Sequence, residues 1–166
     1  MIILLVILCR CSGRDLIDEK TFLQECSNVS FSDWKGWSVS LRPDAGYYII
    51  QFHNSDTVQE HLILLPKKHN KVRLMDRHSS ADHFTPLEGL KSDSLWLNNY
   101  SLMKEKTLRE IASFVQSTHI ESLRVYENQA YFKGESYDLC YSFQGDITPD
   151  SYERIDGHWS RRRPNH

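Results

Sequence analysis

The sequence lacks the glycine-rich motifs that mark the most common catalytic and nucleotide-binding folds. It contains no Gly-x-Ser-x-Gly nucleophile elbow. It has neither the Gly-x-Gly-x-x-Gly loop that holds dinucleotides nor the Gly-x-x-x-x-Gly-Lys-Ser/Thr loop that holds nucleoside triphosphates. These standard sites are therefore excluded, and we expect a protein that works without a cofactor.

The chain also lacks an excess of positive charge, because 20 Lys and Arg residues face 22 Asp and Glu residues and give a formal net charge of -2. Nucleic-acid-binding domains usually carry a marked basic patch, so we expect no nucleic acid partner. Residues 161–163 are three consecutive arginines. So short a basic block near the C-terminus predicts a solvated tail.

No apolar run reaches the roughly 20 residues that a membrane-spanning helix needs. The longest run occupies residues 2–8 and is followed at once by cysteine and small polar residues. This pattern is typical of the middle part of a signal peptide. We therefore interpret residues 1–13 as a leader and residues 14–166 as a single domain, which is long enough to bury about two-thirds of its unfolded surface.

The end of this leader carries a cysteine motif. Cys11-Ser12-Gly13, with Leu8 three residues before the cysteine, resembles the attachment motif of small bacterial envelope lipoproteins, although Arg10 stands where that motif has a small residue. The resemblance implies a lipid anchor on Cys11, with Cys9 as the alternative, and a location in the bacterial cell envelope. The other interpretation is a cytoplasmic protein in which residues 2–8 form a buried first strand.

Two cysteines remain after the leader, Cys26 and Cys140. Alternation in residues 137–143 predicts a strand that places Cys140 on the more polar face, where a partner explains it better than burial alone. We therefore predict a Cys26–Cys140 disulfide, worth about 4 to 5 kcal/mol on the chain-entropy model, provided that the compartment is oxidising. If the thiols are free, a cysteine nucleophile would need a neighbouring histidine, for which the candidates are His53, His119 and His158.

Short β-rich runs separated by turn residues fill most of the chain. A helix is predicted for residues 103–117, where Leu108, Ile111, Ala112 and Val115 share one face. A second helix, or a tether, is predicted for residues 15–25, with Asp15 as its cap. Together these patterns predict an α+β fold, a mainly antiparallel sheet of about six to eight strands covered by the helix. The predicted strands occupy residues 37–41, 47–53, 61–65, 71–75, 122–126, 130–133 and 137–143, and a further run covers residues 152–160.

Residues 77–100 show no clear periodicity, and so long an irregular stretch inside a domain usually forms a functional loop. We predict that this stretch faces a ligand, and that Trp96, His83 and Phe84 contribute to the contact. Asp76, His78, Asp82 and His83 offer oxygen and imidazole ligands, although their spacing matches no known metal motif. A polar solvated loop is therefore favoured over a metal site.

The sequence thus favours an exported, membrane-tethered module without enzymatic activity whose partner is another protein. An immunity or inhibitor protein would be a concrete example. Two alternatives remain open: a small hydrolase or metal-dependent enzyme that uses His78, Asp82 and His83, and a structural scaffold of the envelope. Chelation of a bound metal would identify the first alternative, and self-assembly without a separate partner would identify the second.

Overall fold

The computed structural model describes residues 17–54, 57–66, 71–75, 85–86, 102–145 and 148–164. The leader and most of residues 77–100 lie outside the described residues. Two helices are described, α1 (Glu19–Cys26) and α2 (Leu102–Thr118). The strands are β1 (Trp37–Arg42), β2 (Tyr47–Asn54), β3 (Thr57–Pro66), β4 (Lys71–Met75), β5 (Thr85–Pro86), β6 (Ser122–Val125), β7 (Gln129–Lys133), β8 (Asp138–Ser142), β9 (Tyr152–Arg154) and β10 (Trp159–Arg162).

The strands form one sheet in the order β5-β4-β3-β2-β1-β6-β7-β8-β10-β9, and every pairing in it is antiparallel. The predicted α+β class is confirmed. This order contains more strands than the sequence predicts, because the two-residue β5 has no propensity signal and residues 152–160 supply parts of two strands. The strands predicted for residues 37–41 and 47–53 are present as β1 and β2, and they pair as an antiparallel hairpin.

One apolar core lies between the helices and the sheet. Phe22 of α1 is fully buried, and its ring centroid lies 5.9 Å from that of Phe114 on α2 and 5.4 Å from that of Phe132 on β7. Phe31, in a short 3₁₀ turn before β1, packs 5.7 Å from Phe114 and 4.7 Å from Phe132. These rings join the two helices to the centre of the sheet, and their burial is the main stabilising term of the fold.

Helix α1 begins later than the sequence pattern predicts. Its N-cap is Asp18, whose Oδ1 accepts a hydrogen bond of 2.7 Å from the backbone N–H of Thr21. This bond satisfies one of the free amides at the helix start, and it also lowers the pKa of the Asp18 carboxyl because the charged form is the better acceptor. The prediction of an Asp15 cap is therefore wrong, since Asp18 satisfies the same geometry closer to the buried Phe22.

Helix α2 confirms the prediction for residues 103–117, and its predicted apolar stripe, from Leu108 to Val115, is fully buried. The helix ends at Thr118, and His119 adopts the left-handed conformation at φ 51°. The His119 N–H donates to the carbonyl of Val115 at 3.0 Å. A left-handed residue after the last turn is a common helix end, but it is usually glycine, because a Cβ is disfavoured there.

Replacing His119 with glycine should therefore raise the free energy of unfolding by about 1 kcal/mol, because the left-handed conformation costs other residues about 1–2 kcal/mol. The side chain is exposed, so glycine removes little buried surface. Urea unfolding followed by circular dichroism measures the difference. His119→Ala is the control, and it should give no gain. Equal stability of the glycine variant and the native chain would mean that the backbone is not strained at this position.

The arginines near the C-terminus do not form a solvated tail, so that prediction is wrong. Arg161 and Arg162 lie in β10. The Nε of Arg161 lies 3.1 Å from a carboxylate oxygen of Glu153, and Nη1 of Arg162 lies 3.1 Å from Oδ2 of Asp138. Pairing with both β8 and β9 holds this segment in the sheet, which a count of like charges along the sequence does not reveal.

Candidate binding face

The described helices cover only one face of the sheet. The inward side chains of the central strands, such as Val39, Leu123 and Phe132, share one core cluster with the buried residues of α1 and α2. Side chains alternate along a strand, so the residues between them point to the other side. We call these outward positions, together with Tyr126 directly after β6, the open face: Ser38, Ser40, Arg42, Tyr47, Ile49, Gln51, Ser122, Arg124, Tyr126, Gln129, Tyr131, Lys133, Asp138, Cys140, Ser142, Tyr152, Arg154, Ser160 and Arg162.

Strand register aligns much of the open face into rows that run across the sheet. Ser38 lies opposite both Gln51 and Arg124, and Arg124 lies opposite Tyr131. The same row continues through Cys140, Ser160 and Arg154. Residues from seven strands therefore meet on one surface although more than one hundred positions separate the ends of the row, from Gln51 to Arg154.

A groove with a volume of about 510 Å³ opens at one end of this surface. That volume falls in the range of pockets that hold small ligands or a partner's side chain, roughly 300–1,000 Å³. Tyr126 stands beside it with 53% of its surface exposed, and it is the one exposed large hydrophobic side chain among the residues that the structure describes. The groove is lined by Gly36, Trp37, Ser38, Ser40, Gln51, Arg124, Val125, Tyr126 and Glu127.

Three tyrosines form a connected cluster that extends from the groove across the open face. The Tyr131 ring lies 5.8 Å from Tyr126 at an angle of 87°, and 5.9 Å from Tyr152 at 69°. The hydroxyl of Tyr131 donates to Oε1 of Gln129 at 2.7 Å, and that of Tyr152 donates to Oδ1 of Asp138 at 2.7 Å. These contacts fix the rings in place, so the surface is preorganised for binding.

Cys140 lies on the open face but is almost completely buried, at 1% exposure, with Tyr131 directly opposite on β7. Burial raises the pKa of its thiol to about 11, and a hydrogen bond with Tyr131 opposes part of that rise. Burial also raises the pKa of Cys26. Both thiols therefore stay protonated near neutral pH. Because the nucleophilic form of cysteine is the thiolate, neither thiol is activated for attack on a substrate.

The histidine candidates do not complete a cysteine nucleophile in the described structure. His158 stacks on Tyr141 at 5.3 Å, and its Nδ1 lies 2.8 Å from the carbonyl oxygen of Ser142. Tyr141 packs against the core, whereas its neighbour Cys140 points to the opposite face. His119 lies at the end of α2, and the side chain of His53 lies outside the described part of the chain.

The predicted Cys26–Cys140 disulfide is not formed, because both cysteines are free. They also lie on opposite sides of the sheet. Cys26, the last residue of α1, belongs to the apolar core, whereas Cys140 belongs to the open face. A disulfide needs Cβ atoms about 4 Å apart, and the sheet lies between these two. Cys140 is buried, at 1% exposure, without a covalent partner.

The buried thiol and phenol groups make stability sensitive to alkaline pH. The pKa of Cys140 rises from 9.0 to about 11, and burial raises that of Tyr48 from 10.0 to about 12. The unfolded chain loses these protons first, so the contribution to stability is complete below pH 9 and is lost as pH rises through 9–12. The melting temperature should therefore fall above pH 9, and Cys140→Ala should flatten the decline between pH 9 and 11. A flat profile for the native chain would contradict the buried, protonated state.

The site residues predicted from the sequence, Trp96, His83 and Phe84, lie outside the described residues, as do the metal candidates His78 and Asp82. They remain predictions. Among the residues that the structure describes, no group of three His, Cys, Asp or Glu side chains could hold a metal ion. The sequence analysis did not select Arg124 and Tyr126 as site residues. Their alternation with the apolar Val125 nevertheless indicates that both side chains point away from the core.

The open face combines a groove, an ordered tyrosine cluster and one buried, protonated thiol, that of Cys140. Within the described part of the chain, no helix has the length and apolar character needed to cross a membrane. The chain matches no protein-family model, no curated protein and no solved structure.

Proposed function

We propose that this protein is a non-enzymatic module that binds another protein through its open face. The observation that carries the proposal is the one-sided cover of the sheet: the described helices and the apolar core occupy one face, and the other presents a groove and ordered tyrosines. A sheet face that serves only solubility needs no such groove or aromatic cluster. Ordered aromatic side chains beside a pocket are typical of protein interfaces.

Tyr126 is the proposed anchor of the contact. Tyrosine is enriched among the residues that dominate binding energy, because its ring offers a large contact area for few rotatable bonds. The ring of Tyr131 packs against one side of the Tyr126 ring, so the Tyr126 side chain would lose little conformational freedom on binding. Arg124, on the same face and lining the same groove, can donate several hydrogen bonds at the edge of the contact.

Affinity purification from cells that make the protein tests this proposal. We expect the native chain to retain a partner protein that Tyr126→Ala binds at least about thirtyfold more weakly, the effect of a hot-spot residue worth about 2 kcal/mol. Ser113→Ala is the matched control, because Ser113 is exposed on α2, on the covered side of the sheet. If Tyr126→Ala retains the same proteins as the native chain, the open face is not the binding surface.

We also propose that residues 1–13 direct the chain to the bacterial envelope and that Cys11 carries a lipid anchor. The support is the apolar run ending in Cys11-Ser12-Gly13. Expression in a bacterial host with labelled palmitate, followed by intact mass measurement, tests it. The native chain and Cys9→Ala should incorporate label, and Cys11→Ala should not. If incorporation of the label depended on Cys9 alone, Cys9 and not Cys11 would be the lipidated residue. An unprocessed, unlabelled chain would contradict the export proposal.

A further inference from the structure

Basic residues dominate the open face even though the whole chain carries a formal net charge of -2. Among the open-face strand positions whose side chains are described, one is acidic, Asp138, and five are basic. The basic residues are Arg42, Arg124, Lys133, Arg154 and Arg162. The fold therefore concentrates on one surface a positive charge that composition does not reveal.

Three of these basic groups have no carboxylate partner within the described part of the chain. Lys133 lies 3.8 Å from a carboxylate oxygen of Glu121, and Arg162 is paired with Asp138. Arg42 and Arg124 are exposed and make no described ion pair. Arg154 donates from Nε to the hydroxyl of Thr148 at 3.4 Å and forms no ion pair with a described carboxylate. Unpaired guanidinium groups are the ones available to a ligand.

The basic groups form a band rather than a scatter. Arg124 and Arg154 stand in the same cross-strand row, four strands apart, which corresponds to about 19 Å at the usual strand spacing of about 4.8 Å. Lys133 and Arg162 belong to the adjacent row, on strands between them. Such a band fits an extended surface that carries several negative charges better than it fits a single small anion.

We infer that the partner presents an acidic protein surface, rich in Asp and Glu carboxylates, to the open face. This inference rests on the proposed function and specifies the chemistry of its partner. Arginine guanidinium groups pair with carboxylates in a planar, two-point geometry that lysine cannot reproduce. Complementary charge of this kind speeds association and selects the partner.

The tyrosine cluster favours a protein partner over a nucleic acid. Proteins that bind single strands use aromatic rings as flat platforms on which bases stack. Here Tyr126, Tyr131 and Tyr152 meet one another at 87° and 69°, so the rings pack edge against face and do not form such a platform. Tyrosine and arginine together are the residue types enriched at the centre of protein interfaces.

A polyglutamate peptide is the probe for this inference, titrated into the full-length chain at low salt and followed by fluorescence anisotropy. The test variant is Arg124→Glu/Lys133→Glu/Arg154→Glu. The matched control, Lys20→Glu/Lys106→Glu/Arg163→Glu, makes the same change in net charge at exposed residues away from the open face. We expect the dissociation constant to rise at least tenfold in the test variant and less than twofold in the control. Adding salt should weaken binding by the native chain.

Equal loss in the two triple variants would overturn the inference, since net charge alone would then explain binding. Tighter binding of a polyuridine oligomer or of phosphatidylglycerol vesicles at the open face would overturn it in favour of a phosphate-bearing partner. Circular dichroism checks that each variant folds. If the Glu variant does not fold, Arg124→Gln/Lys133→Gln/Arg154→Gln replaces it, with an expected loss of at least threefold.

The affinity-purified partner separates this inference from the proposed function. Loss of that partner from both Tyr126→Ala and the open-face Glu variant is the expected result. A partner lost from Tyr126→Ala but retained by the Glu variant would overturn the acidic-surface inference and leave the proposed function intact. Polyglutamate binding at the open face without any Tyr126-dependent partner would overturn the proposed function alone.

Discussion

Replacing Phe22 with alanine should lower the free energy of unfolding by about 3–5 kcal/mol, the usual cost of removing a fully buried aromatic ring. Phe22 is fully buried and packs against the rings of Phe114, Phe132, Tyr137 and Trp159 at centroid distances of 4.7–6.1 Å. The cavity would lie among stiff aromatic neighbours that cannot close it. Chemical unfolding in urea, monitored by tryptophan fluorescence and circular dichroism, measures the loss.

Gln24→Ala is the matched control, because Gln24 is exposed on the same helix. Its backbone carbonyl, which accepts a hydrogen bond from Ser27, is kept in the alanine variant. We expect a change below about 0.5 kcal/mol, as for other surface substitutions. If Phe22→Ala were as mild as the control, α1 would not be an integral part of the core.

Replacing Gly134 with alanine should destabilise the fold by about 2–3 kcal/mol, near the top of the usual range for overpacking a core. A Cβ built on Gly134 would lie 2.5 Å from Cζ of Tyr137 and 2.6 Å from its Cε1, distances that real atoms do not share. The Tyr137 ring cannot easily move, because it packs 4.7 Å from the ring of Phe22. The Gly134 N–H also donates to the carbonyl of Tyr137 at 3.0 Å, which fixes the backbone between them.

Gly157→Ala is the control for this substitution, since nothing lies within 4 Å of the Cβ it would add. It should change stability by less than about 0.5 kcal/mol. A double-mutant cycle identifies the clash: in a Tyr137→Leu background, Gly134→Ala should cost at least 1 kcal/mol less than in the native chain. Equal costs in the two backgrounds would show that the ring of Tyr137 is not what excludes a side chain at position 134.

The sequence correctly predicted those helices and strands in which the spacing of apolar residues matches the face that is buried. The apolar spacing from Leu108 to Val115 identified α2, and alternation in residues 37–41 identified β1, because both elements bury one regular face. The same reasoning misplaced the start of α1, where Asp15 and Asp18 are equally suitable caps and the position of Phe22 against the sheet decides. It also missed β5, which is too short to have a pattern.

The candidate site was harder to predict than the fold. Residue types indicated a binding role, but Tyr126 and Arg124 became neighbours of Gln51 only through the pairing of β1 with both β2 and β6. The cysteines show the same limit. Alternation correctly separated Cys140 from Leu139 and Tyr141, yet nothing in the sequence indicated that Cys26 would lie on the opposite side of the sheet.

The α+β class, the α2 helix and the alternation of the central strands follow from local sequence patterns, because they depend on interactions between residues a few positions apart. Tertiary structure alone decided which strands became neighbours, which face the helices cover and where the basic residues gather. Arg42, Arg124 and Arg154 are more than 100 positions apart at their extremes, and only the register of the sheet assembles them into one charged surface.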